Sequence, residues 1–459
     1  DFLSKHPYAK LTADIEKLSP SALKLSNKWP NTQFQFRIHT DIEGKSLNTA
    51  NGYALLTDFA MKSDRVDYTL SNLLVNINNK ENLHHLHVKS DFGQIQLTGK
   101  YDYNTLSQSI INLIGSKLPT IPGLPDMNNA RTNNFSISGT IERSDWLQHI
   151  FNIPVEIEHP LTINGHMSDA DRTLNLALDV PSFTYAGNHF ETGNILVKTL
   201  HDTLTVSAQV RKVSEENKKF HLALQAVAAD NTLSSTLTFD NMRKQRLSGQ
   251  LKTDVIFYKN EKNVSTAHFA IKPSNILVGD TVWTIQPSEI TYNQTRLDVS
   301  HFSINHHNQH ITIDGTASQN PEDSVSIGLR DIDVNYILNL INFHSVSFRG
   351  LASGTAVLKN PFNTLEGYAT LKVKDFKFQD GRMGILDAHI NLNNKEGQID
   401  IDAIANGGQD IKTFVNGYIS PKHNYIDLAI RAYNSRIEFI ESFCGSFMHD
   451  VEAHANGLL

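Results

Sequence analysis

The chain has 459 residues, 39% of them hydrophobic and 19% charged, enough for about two to four ordinary cores or one extended body, and too apolar for a disordered polymer. Its 41 Lys and Arg and 48 Asp and Glu are spread along the chain for a net charge of −7, which marks out no basic face and argues against a nucleic-acid partner. The single cysteine, Cys444, excludes an intramolecular disulfide and a multi-cysteine zinc site, and no apolar run approaches the roughly 20 residues of a membrane-spanning helix.

Alternation with a period of two dominates from the start. QFQFRIHTDIEG (33–44) puts Phe34, Phe36 and Ile38 on one side and Gln35, Arg37 and His39 on the other. QIQLTGKYDY (94–103) aligns Ile95 with Leu97, and FSISGTIE (135–142) aligns Phe135 with Ile137. The same phasing joins Leu174 to Leu176, Leu222 to Leu224 and Leu237 to Phe239. It returns in Ile311 with Ile313, Leu371 with Val373, and Ile399 with Ile401. Turn-rich stretches such as SDADR (168–172), NHHNQ (305–309) and NNKEG (393–397) separate these runs, and loops this short favour antiparallel neighbours. About 25–30 strands of ordinary length are expected.

Helical patterns are few. SPSALKLSNKW (19–29) has a Ser cap with Pro at the first position. TLSQSIINLIGSKL (105–118) spaces Leu106, Ile110, Leu113 and Ile114 along one face, and SDWLQHIF (144–151) opens on a Ser cap. The stretches 333–343 and 435–448 complete the set; each reads as an amphipathic cover on an all-β body. The organisation expected is a β-groove segment over 1–118, a hinge over 119–134 (PTIPGLPDMNNARTNN), and a continuing groove over 135–459. The chain begins DFLSK without Met and stops at HANGLL, as a piece of a longer protein would.

A short amphipathic strand followed by glycine recurs at Gly99, Gly139, Gly165, Gly249, Gly315, Gly350 and Gly417, at irregular intervals that exclude equal propeller blades and a hexapeptide β-helix. So many strands accumulate twist and must curl or split. The fold class expected is therefore mainly β: an elongated antiparallel sheet curled into a trough, glycines easing the bends, apolar positions facing inward. The candidate lining residues are Phe34, Phe36, Ile38, Ile95, Leu97, Phe135, Ile137, Leu174, Leu176, Leu222, Leu224, Leu237, Phe239, Ile311, Ile313, Leu371, Val373, Ile399 and Ile401.

The strand–glycine phrases resemble the TamB family of the Gram-negative envelope and its AsmA-like relatives, as do SVSIGLRDIDVNYILNLINFHSVSFRGLASGTAVL (324–358), VKDFKFQDGRMGIL (373–386) and TFVNGYISPKHNYIDLAI (413–430). The resemblance implies a periplasmic β-trough with a greasy lumen, anchored in the inner membrane upstream and meeting an outer-membrane barrel through a downstream region. It implies a non-enzymatic conduit that carries phospholipid acyl chains between the two membranes and supports outer-membrane biogenesis.

Other readings stand beside it. The alternating apolar positions also suit ordinary β-sandwich cores, and open strand edges suit an assembly factor for outer-membrane β-barrel proteins or autotransporters. A β-array adhesin would need exposed aromatic platforms, yet the chain has only Trp29, Trp146 and Trp283. His84, His85 and His87, and His306, His307 and His310, are read as solvated faces in preference to metal ligands. No catalytic motif is present, Asp400 and Asp402 lie on a polar strand face, and Cys444 reads as an inert buried thiol. No cofactor and no metal is expected.

Overall fold

The computed structural model describes residues 7–458 apart from 27, 65–66, 82, 127–132, 152, 215–217, 245, 337–346, 361–364, 380, 394–397, 421–424 and 442–452. The fold is mainly β, with 29 strands in one antiparallel sheet. It divides into two compact units, residues 1–250 and 251–459.

The first unit holds β1 (Tyr8–Leu18), β2 (Gln33–Glu43), β3 (Asn51–Lys62), β4 (Asp67–Lys80), β5 (Leu83–Ser90), β6 (Gly93–Lys100) and β7 (Asn134–Ile141). It continues with β8 (Val155–Ile157), β9 (Leu161–Ser168), β10 (Thr173–Tyr185), β11 (Asn188–Leu200), β12 (Thr203–Val213), β13 (Lys219–Ala229) and β14 (Thr232–Asp240). Each strand pairs with the next in an antiparallel meander, except that β8 joins only one end of β10 and β7 pairs directly with β9. Short polar turns make this the natural order, since two-residue loops connect antiparallel neighbours.

β15 (Leu247–Lys259) runs across the division at Gln250. The second unit contains β16 (Ser265–Ile271), β17 (Ser274–Val278), β18 (Thr281–Ile285), β19 (Ser288–Asn293), β20 (Arg296–His306), β21 (Gln309–Ser318) and β22 (Ser324–Asp333). It ends with β23 (Phe348–Lys359), β24 (Glu366–Phe378), β25 (Gly381–Asn393), β26 (Gln398–Gly408), β27 (Ile411–Ser420), β28 (Tyr425–Arg436) and β29 (His454–Leu458). From β20 onward it is again a plain meander.

The recurring glycines, from Gly99 to Gly417, lie inside strands, not between them. In β21 the device is legible in HITIDGTAS. One extra residue of β20 bulges opposite Asp314, with His301 in the left-handed region at φ 53°. The Asp314 carboxylate accepts the His301 N–H at 2.6 Å, satisfying a donor that the bulge takes out of the ladder. Gly315, at φ 123°, then lets the next strand approach: a Cβ there would sit 2.2 Å from the Ser324 carbonyl oxygen. Similar bulges fall at Asp58, Thr192, Asp331, Asp375 and Asn434, all with φ near +50°. Asp, Asn and His tolerate that conformation better than most residues, which is why they predominate. The N–H of Asp331 donates to Ser353 Oγ at 2.9 Å and that of Asn434 to Asn456 Oδ1 at 2.7 Å. Bending is thus shared between bulged polar residues and glycines, where the sequence pattern pointed to glycine alone.

Two helices are described. α1 (Leu106–Lys117) fits its expected range, but Ile110 is exposed and the face turned inward is Ser109, Leu113 and Lys117. α2 (Asp145–Phe151) also forms. The Ser144 hydroxyl donates to the Val155 carbonyl and accepts the Ile157 N–H, tying the helix entry to β8. The helix expected over 19–29 is instead a non-repeating turn. Its hydrogen bonds run from Leu23 to Ser19 and from Leu25 and Ser26 to Pro20, and Lys24 at φ 56° prevents continuation. Of the stretch 333–343, Asp333 ends β22, residues 334–336 are helical and residues 337–343 lie outside the described residues. Of 435–448, the described part ends β28 and makes a single 3-10 turn (Glu438–Ile440); Cys444 lies outside it. The expected hinge, 119–134, falls within the first unit, in the connection between β6 and β7.

Candidate functional site

Residues opposed across an antiparallel pair share a face, so the registers trace each face strand by strand. In the first unit one line of opposed residues runs Ala9, Ile42, Gly52, Ile77, Leu86, Leu97 and Ile137. It continues through Gly165, Leu176, Val197, Val206 and Ala226 to Ser235. Before its last member it holds only aliphatic residues and glycine. A parallel line runs Val88, Ile95, Gly139, Ile163, Leu178, Ile195, Ala208, Leu224 and Leu237. On the other face a line of opposed residues reads Asn76, His87, Gln96, Ser138, Asn164.

The second unit repeats the arrangement. Phe302, Ile313, Ile327, Ala356, Ala369, Ile390, Ile401, Gly417 and Leu428 oppose one another in turn from β20 to β28. Beside this line run Ile304, Ile311, Leu329, Gly354, Leu371, Ala388, Ala403, Val415 and Ile430.

The structure brings every candidate lining residue onto the apolar face of its unit. Phe34 opposes Met61, Ile38 opposes Leu56, and the Phe36 ring lies 6.5 Å from that of Phe59. Phe135 opposes Met167, which opposes Leu174, and Leu222 opposes Phe239. In the second unit Val373 opposes Ala352 and Leu386, and Ile399 opposes Leu392 and Ile419. The glycines of the face, and Leu86, Val197 and Val206, are members that sequence alternation alone did not single out; cross-strand register is the information that finds them.

Burial separates the faces. In β10, Leu174, Leu176, Leu178 and Val180 are half-buried, whereas Asn175, Ala177 and Asp179 are exposed. Even a methyl side chain is exposed on the polar side. A second sheet packed over the apolar side would bury it fully, and a flat bare sheet would expose both sides alike; half-burial on one side is what curvature toward that side produces. Around β10 the apolar face is therefore a furrow with a greasy floor, which opens at Ile195 and Leu224, each 38% exposed.

Among the described residues the floor is covered only locally. In the first unit α2 brings Trp146 against Phe92, ring centroids 5.0 Å apart, over the cluster Met61, Tyr68 and Leu70. Burial pushes the Tyr68 phenol up to about 12, with the charge of Asp145 adding to the effect, so it stays neutral. In the second unit Val334, Ala352, Val373, Phe376, Met383 and Ala405 form a closed cluster, with Phe348, Phe378 and Phe439 packed on it. Phe439 sits so close to Gly381 that a Cβ there would meet its backbone nitrogen at 2.7 Å.

The polar face carries a repeated pairing of imidazole with a cross-strand hydroxyl. His39 bonds Thr12 at 2.7 Å, His166 bonds Ser136 at 3.1 Å, and His268 bonds Thr291 at 3.1 Å. His85 faces Thr98 in the same way. His84 departs from the expected solvated face. It is 7% exposed, on the floor side opposite Gly99, with its ring centroid 5.0 Å from Tyr101. Burial lowers its pKa, against the opposing charge of Asp102. Among the described residues no group of three His, Cys, Asp or Glu side chains converges as metal ligands would. No described helix is long and apolar enough to cross a membrane. No family model, no curated protein and no solved structure matches the chain.

Proposed function

We propose that the apolar furrows hold phospholipid acyl chains and that the protein is a non-enzymatic lipid conduit. One observation carries the reading: lines of aliphatic residues and glycines cross strand after strand, many of them half-buried, with only local cover among the described residues. A chain of methylenes is the ligand that such a floor fits, because it needs no hydrogen bond and matches at every strand. Each CH₂ withdrawn from water contributes roughly 0.8 kcal/mol, so about ten buried methylenes contribute on the order of 8 kcal/mol. A floor with the same chemistry at each step holds the chain without a deep local trap. With this reading go the expectations set by the likeness to TamB proteins: a periplasmic location, attachment to the inner membrane, and an outer-membrane barrel as partner.

The test is a photo-crosslinking amino acid placed at Ile313, on the floor, and at the exposed Thr312, on the opposite face. Lipid adducts at 313 and none at 312, seen by mass spectrometry of protein made in Gram-negative cells, support the conduit. Adducts at neither position, or at both alike, overturn it. Adducts to unfolded outer-membrane proteins at 313 would favour an assembly factor instead.

A further inference from the structure

The connection between β6 and β7 differs from the other turns of the first unit. β6 and β7 pair without a register shift from Gly93 opposite Ile141 to Lys100 opposite Asn134. The ladder is complete on its own, and residues 101–133 are an excursion from it that includes α1. The described part of this excursion follows one end of the strands. Ser109 Oγ donates to Asp169 after β9 at 2.9 Å, and Asn133 Nδ2 donates to Ser109 Oγ at 2.7 Å. Lys117 Nζ reaches Asp202 between β11 and β12 at 3.3 Å. The Lys117 carbonyl accepts the N–H of Asn231, between β13 and β14, at 2.8 Å.

Along that strand end the floor is closed. On β13 the floor residues are 4% exposed at Ala228, 9% at Ala226 and 38% at Leu224, opening with distance from α1. Met167 and Leu204, floor residues at the same end of their strands, are 1% and 8% exposed. The helix is fastened by polar groups together with two buried leucines: its buried residues are Ser109, Leu113, Gly115 and Lys117, and Leu118 is buried just beyond its end. Hydrogen bonds and an ion pair whose carboxylate is fully exposed can be exchanged for water, whereas an interdigitated apolar seam cannot.

We propose that α1 is a releasable lid over one end of the first unit's floor, latched by Ser109, Asn133 and Asp169 at one end and by Lys117 and Asp202 at the other. Its opening uncovers the Met167–Leu204–Ala228 end of the furrow to an acyl chain. The lid's ligand rests on the conduit reading; its existence as a cover does not.

The experiment uses the full chain with Cys444→Ser and Leu204→Cys, and follows labelling by a small thiol reagent. A second form replaces residues 101–133 by a two-residue turn joining Lys100 to Asn134. A third keeps the helix but carries Lys117→Ala with Ser109→Ala. Labelling at least tenfold faster in the second and third forms, with the β-sheet circular dichroism unchanged, supports the lid. Equal labelling in all three overturns it. If the shortened form does not fold, the third decides alone. Co-purifying lipid is measured in parallel: faster labelling with no lipid in any form leaves the lid standing as a cover and removes the conduit reading. Cross-linking Lys117→Cys to Asp202→Cys with a bifunctional thiol reagent should lower lipid uptake from vesicles. Unchanged uptake in the cross-linked chain shows that the cover does not open for lipid and overturns its release.

Discussion

The two units keep the same kind of floor and cover it in different ways. Small residues punctuate the floor lines of both units, as in Gly139, Gly165 and Ala226 of the first and Gly354, Ala388 and Ala403 of the second. In the first, the cover comes from helices: α1 is tied at the strand ends largely by polar contacts, and α2 packs Trp146 on the floor cluster. In the second, the cover is a plug of phenylalanines around Val373 and Phe376, closed by Phe439. The difference teaches that cover and floor are separable. An aromatic plug is part of the folded core of its unit, whereas a helix fastened by hydrogen bonds is an accessory to a ladder that is already complete.

That contrast is sharpest where a charge is placed on covered and on open floor. Val373, 4% exposed within the plug, should not tolerate Val373→Asp: an unpaired carboxylate there costs about 3 kcal/mol or more, and the second unit should unfold at far lower urea. Ile313→Asp, on the half-buried floor of the same unit, should cost about 1 kcal/mol, since the carboxylate keeps its water. It should nonetheless abolish lipid retention, and Leu176→Arg should do the same in the first unit. Equal destabilisation by Val373→Asp and Ile313→Asp would mean that both sites belong to closed cores.

The next effect probes the bends. Gly315→Ala adds a Cβ 2.2 Å from the Ser324 carbonyl at φ 123°, so the neighbouring strand must move or the backbone must flip. A loss of about 2–3 kcal/mol is expected in the urea midpoint of the second unit. Gly123→Ala in the first unit, at φ 80° with nothing within 4 Å of the added methyl, should cost about 1 kcal/mol. If the two substitutions cost the same, close strand approach is not what Gly315 provides.

Much of this was legible in the sequence. Alternation placed Phe34, Leu176, Ile313 and Ile401 on apolar strand faces because a period of two is a property of the chain alone. The turn-rich stretches supplied the meander, because antiparallel neighbours need short loops. What could not be read was anything set by the partner strand. Asp314 looks like a solvent-facing acid until the bulge at His301 offers it a backbone N–H. Ser109 and Lys117 look like the wet side of a helix whose apolar stripe includes Ile110, yet they face inward because Asn133, Asp169 and Asp202 meet them there. Ser19 and Pro20 are sound start signals, but Lys24 takes a left-handed conformation and the turn never propagates. His84, next to the exposed His85, is turned to the floor by strand alternation and then covered by Tyr101, which no local pattern indicates.

His84 also gives the smallest contrast between covered and open floor. Burial holds its imidazole below the ordinary histidine range, and the ionised Asp102 opposes this only in part. Asp102 itself is held low by hydrogen bonds from Asn48 and Asn104, so it remains charged through mild acid. Above about pH 6.5 the imidazole is neutral both folded and unfolded, and His84 adds no pH dependence. As pH falls below that value the unfolded chain takes up a proton that the folded chain resists, so stability is lost progressively down through the lower folded pKa. The urea midpoint of the first unit should therefore fall between pH 7.5 and 5 more steeply in the parent chain than in His84→Phe, whose ring fits among Tyr101 and Tyr103 without a proton to gain. Exposed His301, its side chain 92% accessible, serves as the control. Parallel slopes for the parent and His84→Phe would place His84 in water and remove the tyrosine-lined end of the floor from the covered region.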